Sequence, residues 1–161
     1  MAKGNGIIVS TPPKGTRIGI ILNDTSKPGT FLEIDTSKPL GQGGRSYMKA
    51  STRANGKNRA PCVLLEDDKQ GFLTTTAGVA GTLREVYFPA IGEECNVLVD
   101  VPGTGTGSHG GVQFGEYLEY DSAGNLTLES GSPQGTNWQA LENIADPGTL
   151  TPQLTWCRFF G

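Results

Sequence analysis

Asn96-Val97-Leu98-Val99-Asp100-Val101 is the strongest strand signal in the chain. Its β-branched side chains crowd the preceding turn of a helix but pack well on a pleated, half-buried surface. Downstream, Tyr117-Leu118-Glu119-Tyr120 and Leu126-Thr127-Leu128 flank Asp121-Ser122-Ala123-Gly124-Asn125. That arrangement predicts a hairpin, in which the Asp carboxylate closes an Asx-turn on its own backbone and the Gly takes positive φ. Upstream, Cys62-Val63-Leu64-Leu65 reads as a buried strand, and Glu85-Val86-Tyr87-Phe88 alternates into Pro89. Gln153 to Phe160 supplies a last strand, and only Asn137 to Ala145 leaves room for a short helix or turn. Short strands at regular spacing, with turn signals between them, predict an all-β fold: a small β-sandwich or β-barrel-like domain.

Composition agrees. Of 161 residues, 24 are Gly and 10 are Pro, which excludes a helical bundle because each such residue opposes a helix interior by ~1 to ~3 kcal/mol. Leu, Ile, Val and Phe supply enough apolar material for one modest core. No run approaches the ~18 apolar residues of a membrane span. Met1 to Gly6 lack the apolar stretch of a signal peptide. A soluble chain made in a cytoplasm is the expectation.

Charge divides the chain. Residues 1–60 hold ten basic residues and three acids, whereas residues 61–161 hold three basic residues and thirteen acids. A basic segment beside an acidic one predicts an arm that lies on something acidic: nucleic acid, an acidic protein surface or the acidic body of another copy. In the first segment, short apolar bursts (Ile7-Ile8-Val9, Ile18 to Leu22, Phe31 to Ile34) alternate with Pro12-Pro13, Pro28-Gly29 and Pro39. The pentapeptide Asp-Thr-Ser-Lys-Pro occurs at 24–28 and again at 35–39, a turn on each side of the Phe31 strand. Residues 41–60 have almost no large apolar side chains, too little to offset the cost of ordering them. The expected organisation is therefore a basic, extended N-terminal arm over 1–60 with short β-segments, and a compact β-domain over 61–161. A second echo lies at an offset of 53: residues 65–74 match residues 118–127 at six of ten positions. It reads equally as duplication or as convergent turn chemistry.

Catalytic and metal chemistry finds little support. The lone His109 sits among five glycines in residues 103–111, a loop that cannot by itself hold an imidazole to catalytic tolerance. That loop lacks the Gly-Lys-Ser/Thr ending of a P-loop and the strand–helix setting of a dinucleotide site. A zinc site would need Cys62, Cys95, Cys157 and His109 to converge; buried free thiols are the simpler reading. Asp67-Asp68-Lys69-Gln70-Gly71 fails the spacing of a calcium loop. The expectation is no enzyme, no cofactor and no metal.

The best interaction candidates are the cations Lys14, Arg17, Arg45, Lys49, Arg53, Lys57 and Arg59. Five of them fall within residues 45–59 and could follow a phosphate backbone. One tyrosine offers little base stacking, however, and the acidic remainder repels nucleic acid, so an acidic protein partner fits better. Trp138, Phe159 and Phe160 are a candidate subunit interface. Leu98, Val99, Leu118, Leu126 and Trp156 are assigned to the core.

Three further motifs carry a resemblance: Ala90-Ile91-Gly92-Glu93-Glu94 before the Asn96 strand, the hairpin from Gly115 to Leu126, and Ala140-Leu141-Glu142 before the last strand. With them, residues 61–161 resemble bacteriophage head decoration (capsid cement) proteins. The resemblance implies a structural virion protein on the outer capsid surface, made in the host cytoplasm. It would cement adjacent subunits of the major capsid protein, as a homotrimer at three-fold and quasi-three-fold sites, without contacting nucleic acid or membrane. The N-terminal segment of about 60 residues is longer and more basic than the arms of that family. The competing reading is a carbohydrate- or receptor-binding β-module of a phage particle, with Tyr117, Tyr120, Trp138 or Trp156 as a flat sugar platform.

Overall fold

The computed structural model describes residues 6–9, 12–52, 62–67, 73, 75–101, 111–128, 138–145 and 152–161. Among the described residues there are twelve strands: β1 (Thr16–Leu22), β2 (Leu32–Ile34), β3 (Tyr47–Ala50), β4 (Val63–Leu64), β5 (Leu83–Phe88), β6 (Glu94–Asp100), β7 (Gly111–Val112), β8 (Tyr117–Tyr120), β9 (Leu126–Leu128), β10 (Trp138–Ala140), β11 (Ile144–Ala145) and β12 (Gln153–Phe159). Among the described residues the only helical piece is a 3-10 turn at Gln42–Gly44. The predicted all-β class is what folds.

β6, the stretch singled out in the sequence, belongs to a closed barrel of order β10-β12-β6-β9-β8. β12 runs antiparallel to it from Gln153 opposite Val99 to Arg158 opposite Glu94. Period-2 alternation then sorts the side chains: on β12, Thr155, Cys157 and Phe159 are buried while Leu154, Trp156 and Arg158 are partly exposed. β6 departs from alternation, with five consecutive buried residues from Cys95 to Val99. The cause is its other edge, which takes three partners in turn. The Asn96 N–H donates to the Ile7 carbonyl (2.7 Å) and the Leu98 N–H to the Gly29 carbonyl (3.0 Å); Val99 and Asp100 then pair in parallel with β9.

The hairpin joining β8 and β9 follows the expected turn chemistry. Asp121 Oδ1 accepts from the Ala123 and Asn125 N–H groups at 2.7 and 2.8 Å, and Gly124 has φ of 81°. A side chain there would be strained by that φ and would also strike the Phe31 carbonyl, 2.8 Å from an added Cβ. The repeated pentapeptide likewise builds one device twice. Ser26 Oγ donates to Asp24 Oδ1 at 2.5 Å, and Ser37 Oγ to Asp35 Oδ1 at 2.6 Å.

Among the described residues, five further strands form a sheet of order β2-β3-β1-β5-β4, and β7 pairs with β11 in a two-stranded sheet. The two ends of the five-stranded sheet meet through a bridge between Phe31 and Val63, with the Leu64 N–H on the Thr30 carbonyl (2.9 Å) and the Leu32 N–H on the Cys62 carbonyl (2.8 Å). That sheet thus curls into a second, smaller barrel around Ile20, Leu22, Leu32, Met48, Cys62, Leu64 and Val86. Val63 and Tyr87 point the other way and join the core of the first-described barrel.

This corrects the expected division at residue 60. Residues 16–50 are not an arm laid away from the body: β1 pairs with β5 over six residues, and β3, from the segment with almost no large apolar side chains, pairs with β1 and β2. Ile20, Leu22, Leu32 and Met48 bury themselves by curling against Leu64 and Val86, so the apolar bursts suffice once strands from beyond residue 61 complete the barrel. Residues 53–60 lie outside the described residues, as do 68–72 of the second echo and 103–110 of the Gly-rich loop. Trp138–Ala140 is a strand, not a helix or turn, because Trp138 and Ala140 both face the barrel core.

Phe31 joins the two barrels. Its ring meets Tyr120 edge-on (centroids 4.9 Å apart, planes at 85°) and Trp138 in the same manner (5.3 Å, 68°). Replacing a buried Phe by Ala removes ~3–5 kcal/mol, so Phe31→Ala is expected to lower the midpoint of urea unfolding by that equivalent, with Phe31→Leu milder. A chain beginning at residue 61 lacks β1 to β3 and Phe31; its circular dichroism is expected to show loss of cooperative unfolding.

Candidate functional site

The described cations expected to bind a partner all fall on the smaller barrel. Arg17 and Lys49 occupy one face by register, since Ile21 opposes Tyr47 and β1 and β3 alternate in step. Arg45 joins them, because a Cβ added to Gly19 on that face would stand 3.4 Å from Arg45 Nε. Arg17 lies 3.8 Å from Glu85 with both side chains more than half exposed, a pair that water screens to little net attraction. Arg45 NH1 donates to the Gln42 carbonyl at 3.3 Å. Lys49 is half-buried opposite Glu33. Lys14 is exposed just before β1, its backbone N–H held by Glu93. Arg53, Lys57 and Arg59 lie outside the described residues.

Beside these cations, opening at the edge of the same sheet, is a half-open cavity of about 480 Å³ that Gly19 and Arg45 also line. Its apolar wall includes Ile18, Ile20, Leu32, Ile34, Met48, Val86 and Phe88, with Glu33, Thr36 and Arg45 among its polar lining. Ile18 and Ile34 are 47% and 57% exposed. The volume is within the ~300–1,000 Å³ of ordinary ligand clefts. The sequence signal for it was Ile18-Gly19-Ile20, read there as a strand but not as the lip of a cavity.

The candidate subunit interface needs correction. Trp138 is fully buried, and its Nε1 donates to Tyr120 Oη at 2.9 Å. Phe159 is also buried, stacked at a tilt 5.2 Å from Trp138. Both are core because β10 and β12 turn these positions inward. Phe160, one residue on, points outward and is 42% exposed beside Tyr117; Ile91, 73% exposed, adjoins Gly161. The proposed sugar platform does not assemble either: Tyr120 and Trp138 are buried, and half-buried Trp156 donates its Nε1 to Glu94 Oε2 at 3.0 Å. Trp156 is therefore on the outer side of β12, not in the core to which the sequence assigned it. Leu98, Val99, Leu118 and Leu126 are buried as expected.

The acids prove to be structural anchors. Glu66 accepts the Ile7 N–H on both carboxylate oxygens (2.9 and 3.1 Å). Glu94 accepts from Arg158 NH2 at 2.7 Å. Glu93 is almost wholly buried and accepts from the Lys14 N–H, from Tyr87 Oη (2.7 Å) and from the Ala90 N–H (2.6 Å). Burial pushes its pKa up, but these donors outweigh burial and hold it below the usual carboxylate value. Tyr87 goes the other way: burial first, then its bond to Glu93, pushes it up to about 12. At the far end of β6, burial and the neighbouring Asp121 carboxylate push Asp100 up to about 6. The three cysteines are buried free thiols, with Cys62 and Cys95 pushed up to about 12 chiefly by burial. Among the described residues, no group of three or more His, Cys, Asp or Glu side chains converges as metal ligands would.

Two opposed pH effects follow. The depressed Glu93 contributes stability that is present above its unfolded pKa and is lost as pH falls through its folded one. Asp100 is raised, so the folded state binds a proton more tightly than the unfolded chain between 3.8 and about 6, and stability falls as pH rises through that window. Asp100→Asn is expected to raise the thermal midpoint at pH 7 and to flatten its dependence between pH 4 and 6. Glu93→Gln would aim an amide N–H at groups that are themselves donors, an unsatisfied arrangement of ~1–3 kcal/mol; its thermal midpoint should fall at pH 7 and lose part of its acid sensitivity.

No protein-family model and no curated protein sequence matches the chain. Among solved structures, the chain is similar in fold to the N base of the head fiber protein gp8.5 of bacteriophage phi29, with a TM-score of 0.54 at 10% sequence identity over 90% of this chain and 93% of that one.

Proposed function

We propose that the chain is a structural, non-enzymatic component of a phage particle, bound to the outer surface of the capsid. The observation that carries this reading is the fold likeness to a phage head fiber base, which spans nearly the whole of both chains. The finer reading is that it cements neighbouring major capsid protein subunits as a trimer. Cations Arg17, Arg45 and Lys49, gathered on one face of the smaller barrel, would meet acidic protein surface there. Opposite charge steers such docking and fixes its register, while apolar contact supplies most of the affinity. The exposed Phe160, Tyr117 and Ile91 at the end of the other barrel are the apolar surface available to a second copy. Three linked sites raise effective concentration, so that weak single contacts sum to firm attachment.

Light scattering behind a sizing column should give three times the chain mass of 17.0 kDa, and Phe160→Asp should return the monomer. Co-sedimentation with empty capsids of its source phage should be retained by wild type. It should weaken at least tenfold when Arg17, Arg45 and Lys49 are all reversed to Glu, with circular dichroism unchanged. A monomer that fails to co-sediment sinks the proposal; a monomer that does co-sediment overturns the trimer alone.

A further inference from the structure

The wall of the smaller barrel is incomplete along one strand. On β1, odd-numbered residues turn their backbone groups toward β3: the Ile21 N–H donates to the Ser46 carbonyl (3.1 Å) and the Asn23 N–H to the Met48 carbonyl (2.7 Å). Pairing with β3 is confined to Ile21 and Leu22. Before that point the neighbouring chain folds back on itself, with the Gly41 N–H on the Arg45 carbonyl at 2.8 Å. Among the described residues, no backbone group pairs with Arg17 or Gly19 on this edge. The other edge of β1 is paired with β5 from Thr16 to Ile21. Among the described residues an unpaired edge is thus left beside the apolar cavity, whose lips Ile18 and Ile34 are exposed.

A strand added to that edge would have its side chains sorted by the pleat. One alternate set would enter the slot over Ile18, Ile20, Met48 and Phe88. The other set would emerge on the face that carries Arg17 and Arg45. Gly19, extended and without a side chain, keeps the backbone open to close approach there. The charges on this face favour an acidic visitor, since among the described residues Arg17 has the weak, exposed pair with Glu85 and Arg45 a neutral carbonyl. Glu33 is already engaged, accepting from Ser51 and Thr52 hydroxyls at 3.0 and 3.3 Å.

We infer that this edge takes a strand from a partner polypeptide by β-augmentation, with apolar residues at one set of alternate positions in the slot and acidic residues at the other set against Arg17 and Arg45. The inference goes beyond capsid attachment and does not rest on it.

The test titrates the full chain with a capped eight-residue peptide of alternating Glu and Val, against a control of four Glu followed by four Val. Amide hydrogen exchange and chemical shifts are read by NMR. The alternating peptide should slow exchange at Arg17 and Gly19 at least tenfold, and the block peptide should not. Gly19→Pro should abolish the effect, because its N–H faces the free edge and the ladder to β5 does not use it. Arg45→Glu, on a partly exposed side chain, should weaken binding at least tenfold and carries the test if the Pro variant fails to fold. Three results would overturn the inference: no protection at millimolar peptide, equal binding of both peptides, or unchanged affinity in either folded variant. None of them bears on co-sedimentation with capsids, so the two readings fail separately.

Discussion

The contact of Phe31 with Tyr120 and Trp138 is the constraint on which the two-barrel arrangement depends. Phe31 belongs to the strand end that closes the smaller barrel through Val63, yet its ring lies in the core of the larger one. Its N–H donates to the Gly124 carbonyl at 2.7 Å and its carbonyl accepts from the Ser51 N–H at 2.9 Å. Position 31 therefore fixes three things together: the closure of one barrel, the docking of the β8–β9 hairpin and the start of the second core. Edge-to-face aromatic contacts add ~0.5–1.5 kcal/mol beyond burial, but geometry matters more here. Val63 and Leu64, adjacent in sequence, face different cores, so neither barrel can shift without disturbing the other.

Buried and half-buried carboxylates serve as local fasteners for the parts that strand pairing does not reach. Glu66 holds residue 7 against the larger barrel, while Glu93 holds residues 14 and 90 and Tyr87. Each offers acceptors to backbone N–H groups that would otherwise be orphaned in a loop, and an unpaired buried donor is more costly than the bond is favourable. Asp24 does the same where the smaller barrel turns, accepting from Ser26 Oγ and from the Ala50 N–H. These acids are accounted for by backbone geometry.

The legible parts of the fold were those decided by neighbours in sequence. The strands β6 and β12 and the Asp121–Gly124 turn were legible from neighbouring residues, and each forms where the sequence implied. What local reading could not supply was pairing across long separations. Ile18 to Leu22 read as a β-segment of an extended arm because the residues it packs with, Val86 and Leu64, lie more than forty residues away. For the same reason Trp138 and Phe159 looked available for an interface, although each is opposite the other across β10 and β12. The cavity was illegible because it consists of what β3 fails to cover.

Charge asymmetry survives with a different meaning. Lys14, Arg17, Arg45 and Lys49 are basic not because they form a loose arm but because they decorate one barrel, while the acid-rich sequence builds most of the other. A rigid sheet holds cations at fixed spacings, so they can select the register of an approaching surface, whereas an unstructured arm would first lose conformational entropy on binding. Natural proteins blunt free strand edges with charge to prevent indiscriminate pairing. Arg17 and Arg45 place such charge beside the edge of β1: they repel a basic strand and, on the inference above, favour an acidic one. The charge that discourages indiscriminate pairing at this edge is thus also what would select an acidic strand.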